Sequence, residues 1–198
     1  MEIKFTLDYV CPYSYVAKVA LEQALAEVKP DAKLTYQTFE LTEEPKPRVD
    51  TYNNPEKRKA YTVLNAPCES LGLDIHMPPA VVPRPYTRLA FEGYFYALEK
   101  GVEHLYNELV FAAYFKDEQD IGELNVLCEV AEKAGLDAAD FRRALEDGTY
   151  KEQEAQSNRY AKDVMNVRAV PTIYINGEKV SVEVYTKEAF AELLKEME

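Results

Sequence analysis

Near the start of the chain Ile3, Phe5 and Leu7 alternate with Lys4, Thr6 and Asp8, the period of two that marks a strand with one face in a core. The period changes after Cys11. From Pro12, whose fixed φ and missing N–H suit the first position of a helix, Val16, Ala20, Leu21, Leu25 and Val28 recur at helical spacing up to a stop at Lys29-Pro30-Asp31. Leu34 to Leu41 then read as a second strand. A β-α-β unit of this size predicts two parallel strands joined by a right-handed crossover.

Thr42 to Asp50, with Pro45 and Pro47 set among charges, predicts a departure from the sheet. A long helical region follows. Leu89, Gly93 and Tyr96, then Leu105, Leu109, Val110 and Ala113, then Leu124, Leu127, Cys128 and Ala131 keep helical spacing, with Gly101, Gly122, Gly135 and Gly148 as punctuation. Four prolines between His76 and Pro85 predict an irregular loop able to arch over another surface. Strand and helix patterns then mix again as they do at the start, with a helix through about Met165, a strand at Thr172 to Ile175, an Asn176-Gly177 turn, and a strand through Val182. Phe190, Leu193, Leu194 and Met197 predict a closing amphipathic helix. The order β-α-β, helices, α-β-β-α predicts an α/β thioredoxin fold interrupted by an all-helical insertion subdomain. Residues 1–41 and 152–198 make the thioredoxin-like domain and 42–151 the insertion.

The 198 residues are 47% hydrophobic, enough for a packed core, and carry a net charge of −12. That charge disfavours nucleic acid and other polyanions as partners. No apolar run approaches the roughly 20 residues of a membrane span, and Met1-Glu2-Ile3-Lys4 lacks a secretory pattern. The expectation is a soluble cytoplasmic protein with no membrane partner. Three cysteines without a close pair do not make a disulfide framework, and His76 and His104 have no metal-ligand spacing, so no metal site is expected.

Candidate chemistry concentrates at Cys11, where strand gives way to helix in Val10-Cys11-Pro12-Tyr13-Ser14. A free thiol titrates near about 8.5, and a helix N-terminus can lower that to roughly 3.5–7.5. The backbone N–H groups of Tyr13 and Ser14 and the Ser14 hydroxyl predict a lowered pKa for Cys11, with a nearby Asp8 charge opposing. Dithiol chemistry needs a second cysteine at position 14. Ser14 stands there instead, so a mixed disulfide on Cys11 must be resolved by an external thiol such as glutathione or by another cysteine of the chain. Cys68, beside Pro67 and the proline-rich loop, is the candidate resolving thiol; Cys128 lies on an apolar helical stripe and reads as core. Val170-Pro171, at the mouth of an apolar strand, can present backbone groups to an extended peptide or to glutathione. Pro12, Tyr13, Val170 and Pro171 form the expected substrate-binding set, with Cys11 and Ser14 as the catalytic pair.

The runs Asp8-Tyr9-Val10-Cys11-Pro12-Tyr13-Ser14-Tyr15, Phe39-Glu40-Leu41, Ala113-Tyr114-Phe115 followed by Asp120-Ile121-Gly122, Ala134-Gly135-Leu136-Asp137 and Val170-Pro171-Thr172 resemble the DsbA-like thioredoxin family, within it the FrnE-type branch. The resemblance implies disulfide chemistry at Cys11 and a cis peptide before Pro171. Two departures stand out: Ser14 where that branch usually has cysteine, and Ser181-Val182-Glu183-Val184 where a small-residue segment usually follows the last hairpin. The Pro-Tyr-Ser-Tyr run is also similar to kappa-class glutathione transferases and 2-hydroxychromene-2-carboxylate isomerases. The expected function is a monothiol thiol–disulfide oxidoreductase acting on a protein or glutathione-like disulfide. It has no tightly bound cofactor, takes glutathione as candidate co-substrate, and leaves a homodimer open. The alternatives are a glutathione-dependent transferase or isomerase and a redox-inert binding domain.

Overall fold

The computed structural model describes residues 1–197. Strand β1 (Glu2–Leu7) runs parallel to β2 (Lys33–Thr38) and antiparallel to β3 (Thr172–Ile175), and β3 pairs antiparallel with β4 (Glu178–Val180), giving the order β2-β1-β3-β4. Helix α1 (Pro12–Val28) makes the parallel crossover. Ile3, Phe5 and Leu7 are no more than 1% exposed. In register with Leu34, Tyr36, Ile173 and Ile175, they form the sheet face covered by α1 and the closing helix α9 (Lys187–Glu196). Lys4, Thr6, Thr35, Gln37 and Tyr174 alternate onto the other face.

Both expected strand ends fall short. β2 stops at Thr38 rather than Leu41, because side chains take over the backbone beyond it: Glu40 N donates to Asn158 Oδ1 at 2.9 Å and Leu41 N to Asp8 Oδ2 at 2.7 Å. β4 stops at Val180 rather than Val182. Continuing the register beyond Ile173↔Val180 would set Val182 against Pro171, which has no N–H to offer the ladder.

Between β2 and the second half of the sheet lie α2 (Pro55–Tyr61), a 3-10 turn (Thr62–Leu64), α3 (Asn65–Leu71), α4 (Arg88–Glu99), α5 (Glu103–Phe115), α6 (Leu124–Lys133) and α7 (Ala138–Glu146). Helix α8 (Lys151–Arg159) then runs into a π-helical turn (Tyr160–Val164) where the sequence predicts ordinary helix. The α5 helix is pinned to α1 by Lys18, 1% exposed, whose Nζ lies 2.7 Å from Glu22 and 2.9 Å from Glu108. Tyr15 donates to the same Glu108 at 2.9 Å and stacks on Phe111 with ring centroids 4.8 Å apart. Burial would raise the Glu22 pKa, but hydrogen bonds from His104, Lys18 and Tyr36 and the Lys18 charge hold it down to about 2. No helix among the described residues is long and apolar enough to cross a membrane.

Helix α4 is closely packed at Gly93, where a Cβ would meet Tyr106 Oη at 2.2 Å and Phe141 Cζ at 2.7 Å. Tyr106 cannot retreat freely, because its hydroxyl donates to Ala90 O at 3.1 Å. Gly93→Ala should therefore destabilise the chain by about 1–3 kcal/mol through overpacking. Urea denaturation checks this, and a midpoint equal to the parent's would show that the packing there has slack.

Candidate active site

With Thr6 opposite Thr172 in the β1–β3 register, the turn leaving β1 and the turn entering β3 open at one end of the sheet. That places Cys11 against Val170, 159 positions away, and the thiol donates to the Val170 carbonyl at 3.3 Å. The Val170–Pro171 peptide is cis. Cys11 occupies the N-cap of α1 with extended backbone (φ −96°, ψ 111°) and makes no side-chain capping bond; its own N–H donates to Asp8 O at 3.0 Å. The N–H groups of Ser14 and Tyr13 favour a charged sulfur, as does the Ser14 hydroxyl. Ser14 is fully buried and its Oγ has no hydrogen-bond partner. Ionised sulfur would supply the missing acceptor.

The expectation of a lowered Cys11 pKa is corrected. Cys11 is 6% exposed, and burial, the largest influence, pushes its thiol up against the Ser14 and Tyr13 groups, with the Asp8 charge adding to the rise. Helix-end N–H groups act over a short range, whereas desolvation penalises the whole anion. The resting site therefore holds a protected thiol.

Asp8 lies beneath it, fully buried, its pKa raised by that burial despite the Leu41 N–H, the Arg84 charge, the Thr87 hydroxyl and the Val10 N–H. Arg84 is 9% exposed and donates to Thr42 Oγ1 at 2.8 Å. Burial raises the phenols of Tyr13, Tyr61 and Tyr185, and a charge on Cys11 would raise all three further. Tyr13 meets Tyr61 edge-on at 6.0 Å and donates to Ala60 O at 3.0 Å, fastening the end of α2 over the site. Cys11, Phe39, Ala161, Val167 and Val170 form a small apolar cluster of their own, flanked by Tyr13 and Met165. Pro12 is buried and Pro171 half-buried at its edge.

Cys68 is not part of that cluster. It is 5% exposed on α3 within the main core, and burial pushes its thiol up to about 11. Cys128 is also buried in the main core, and all three cysteines are free. Among the described residues no group of His, Cys, Asp or Glu could hold a metal ion.

Several neighbours of the site carry no mark in the sequence. Arg84 sits in a Pro-Arg-Pro stretch of the proline-rich loop, where an exposed arginine reads the same way. Tyr61 and Tyr185 belong to segments whose packing no periodicity announces. Glu40, which follows Phe39, shares a buried polar seam with Glu154 at 6% and 1% exposure. Asn158 Nδ2 donates to Glu40 Oε1 and Glu43 Oε2 at 3.3 Å each, and Lys162 Nζ lies 2.5 Å from Glu43. Burial, with neighbouring carboxylates, raises Glu40 to about 8 and Glu154 to about 7.

A family model described as DSBA-like thioredoxin domain matches residues 2–195. The chain belongs to this family. Among the relatives of this DSBA-like chain, the uncharacterized protein YwbO of Bacillus subtilis (strain 168) is 38% identical over 197 residues, 99% of this chain and 96% of its own. Its fold is similar to that of the probable DsbA oxidoreductase SCO1869 from Streptomyces coelicolor, with a TM-score of 0.82, 22% identity, and coverage of 100% and 89% of the two chains. It is also similar to the cytosolic disulfide reductase DsbM from Pseudomonas aeruginosa, with a TM-score of 0.72, 13% identity, and coverage of 99% and 98%.

Two predictions follow the electrostatics of this DSBA-like site. In the folded chain Glu40 and Glu154 keep protons that an unfolded chain releases near 4.5, so the folded state binds more protons from there up to about 8 and about 7. Stability must fall as pH rises through that window. The melting temperature should drop between about pH 5.5 and pH 8, and Glu40→Gln should flatten the drop; an equally steep profile in that variant would assign the effect elsewhere. Separately, iodoacetamide should modify Cys11 slowly at neutral pH, and Asp8→Asn should move the midpoint of its pH–rate curve downward. An unmoved midpoint would mean that the Asp8 charge does not reach the sulfur.

Proposed function

We propose that the chain is a monothiol thiol–disulfide oxidoreductase that acts through Cys11. The observation carrying this reading is the Cys11 thiol at 3.3 Å from the Val170 carbonyl, over the start of α1. That carbonyl is both the partner of the thiol proton and a group an extended substrate can use. When a substrate N–H takes it, the S–H loses its acceptor, and the Ser14 hydroxyl with the Tyr13 and Ser14 N–H groups is left to hold a thiolate. Docking and activation of the nucleophile are then one event.

The Cys11 thiolate attacks one sulfur of the substrate disulfide, a Cys11–S–S–R bond forms, and the other half leaves as a thiolate that takes up the proton Cys11 gave up. An external thiol of the glutathione class attacks the substrate sulfur of the mixed disulfide and returns Cys11 to a thiol. With Ser14 in place of a second cysteine and Cys68 in the main core, an external thiol suits the second step better than an internal one. A supply of such thiols fits the cytoplasm. In this reading the thioredoxin-like domain, residues 1–41 and 152–198, carries the nucleophile, and the insertion 42–151 covers it and shapes access.

A second reading draws on the same raised thiol and on the unpartnered Ser14 hydroxyl. A neutral Cys11–Ser14 pair can donate to a thiolate brought by glutathione, the arrangement a glutathione-dependent transferase or isomerase needs.

The two readings part on a covalent intermediate. Incubated with oxidised glutathione, the chain should gain one glutathionyl adduct on Cys11 by mass spectrometry. Cys11→Ala should lose disulfide turnover by roughly two orders of magnitude or more, and Ser14→Cys should gain insulin-reducing activity. Glutathione retention unaffected by Cys11→Ala would favour the second reading. No adduct and no glutathione binding would leave a redox-inert binding domain.

A further inference from the structure

The sheet face opposite α1 is only partly covered. Gln37 is tied to α8 through Ser157 O at 2.8 Å and Ser157 Oγ at 2.7 Å, but nearer the start of β1 the face opens into a groove of about 470 Å3. The register lays Thr35, Lys4, Tyr174 and Lys179 in one row across four strands, with Glu2 and Lys33 in the row beyond. Tyr160 and Met165, from the π-helical turn and its end, make the far wall. Tyr174 donates to Met165 O at 2.8 Å, which fixes that wall against the floor.

Two properties of this groove point to one kind of ligand. Its wall carries the exposed Tyr160 ring and the half-buried Met165, its floor the half-buried Tyr174, and the Lys4 ammonium already lies 5.5 Å from the Tyr160 ring centroid, a geometry in which an aromatic ring and a cation share one slot. Its charge also runs against that of the molecule. In a chain of net charge −12, Lys4 and Lys33 line the groove with one carboxylate, Glu2, Lys179 stands opposite Tyr174 on the neighbouring strand, and none of the three lysines has an ion-pair partner among the described residues. The volume lies in the roughly 300–1,000 Å3 range of small-molecule sites, and the acidic remainder of the surface turns away an extended polyanion.

We propose that this groove binds a small aromatic anion, a planar ring carrying a carboxylate or a phosphate. The ring would lie between Tyr160 and Tyr174, and the anion would be met by Lys4 and Lys33 with Lys179 at the rim. The site is built by β1, β2, β3 and the π-helical turn and does not depend on the thiol chemistry of Cys11.

The test is a two-dimensional amide NMR titration of the whole chain with naphthoate, naphthyl phosphate and the uncharged naphthalenemethanol. The anions should shift the Lys4, Thr35, Tyr174 and Gly177 signals saturably, and the alcohol should bind at least about tenfold more weakly. The better of the two anions identifies the charged group. Lys4→Gln with Lys33→Gln should weaken anion binding about tenfold and leave the alcohol unchanged, and Lys179→Gln, on the exposed rim, should act in the same direction. No saturable shift with either anion, equal binding of the alcohol, or unchanged anion affinity in a double variant of parental circular dichroism and melting would overturn the proposal.

Discussion

The antiparallel pairing of β1 with β3 is the constraint on which the site depends. It joins a strand from the start of the chain to one beginning at residue 172, and its register sets Cys11 and Val170 at hydrogen-bonding distance. A shift of one residue would turn Ile3 and Phe5 out of the core, so hydrophobic burial enforces the register that the chemistry needs. The same face holds Ile173 and Ile175 against α1 and α9. Core and site are therefore consequences of one alignment.

Closing that end of the sheet carries an electrostatic cost. Asp8 and Ser14 are buried near the thiol, Arg84 is buried within reach of Asp8, and the Ser14 hydroxyl and the Arg84 Nε lack hydrogen-bond partners. Buried polar groups without partners are uncommon and concentrate where a ligand or a change of charge completes them. A thiolate at Cys11 would satisfy Ser14. Desolvation keeps the sulfur protonated until something changes its surroundings.

Helices α2 to α7 do more than decorate the sheet. Lys18 and Tyr15 of α1 are held by Glu108 of α5, so the helix that presents Cys11 is clamped to the helical region. Tyr61 of α2 meets Tyr13, which flanks the Cys11 cluster. On the other flank, the seam of Glu40, Asn158 and Lys162 ties the end of β2 to α8 and the π-helical turn, whose Ala161 packs in the Cys11 cluster. Both flanks converge on the same few atoms.

Much of this was legible in the residues alone. Alternation in Ile3-Phe5-Leu7 determined a half-buried strand, Pro12 the start of a helix, and Asn176-Gly177 a hairpin, because these depend on local backbone preference and on which positions must leave water. Cys11 at the strand–helix junction was legible for the same reason, and so was the absence of a second cysteine at position 14, where Ser14 stands. The ionisation of that thiol was not. A helix start by itself predicts a lowered pKa, but burial among Phe39, Ala161, Val167 and Val170, residues far from Cys11 in sequence, reverses the sign. Likewise Arg84 and Glu40 are ordinary charged residues until the fold removes their water. Local order follows from neighbours along the chain, whereas the charge state of a buried group is a sum over everything packed around it, and only the tertiary structure sets that sum.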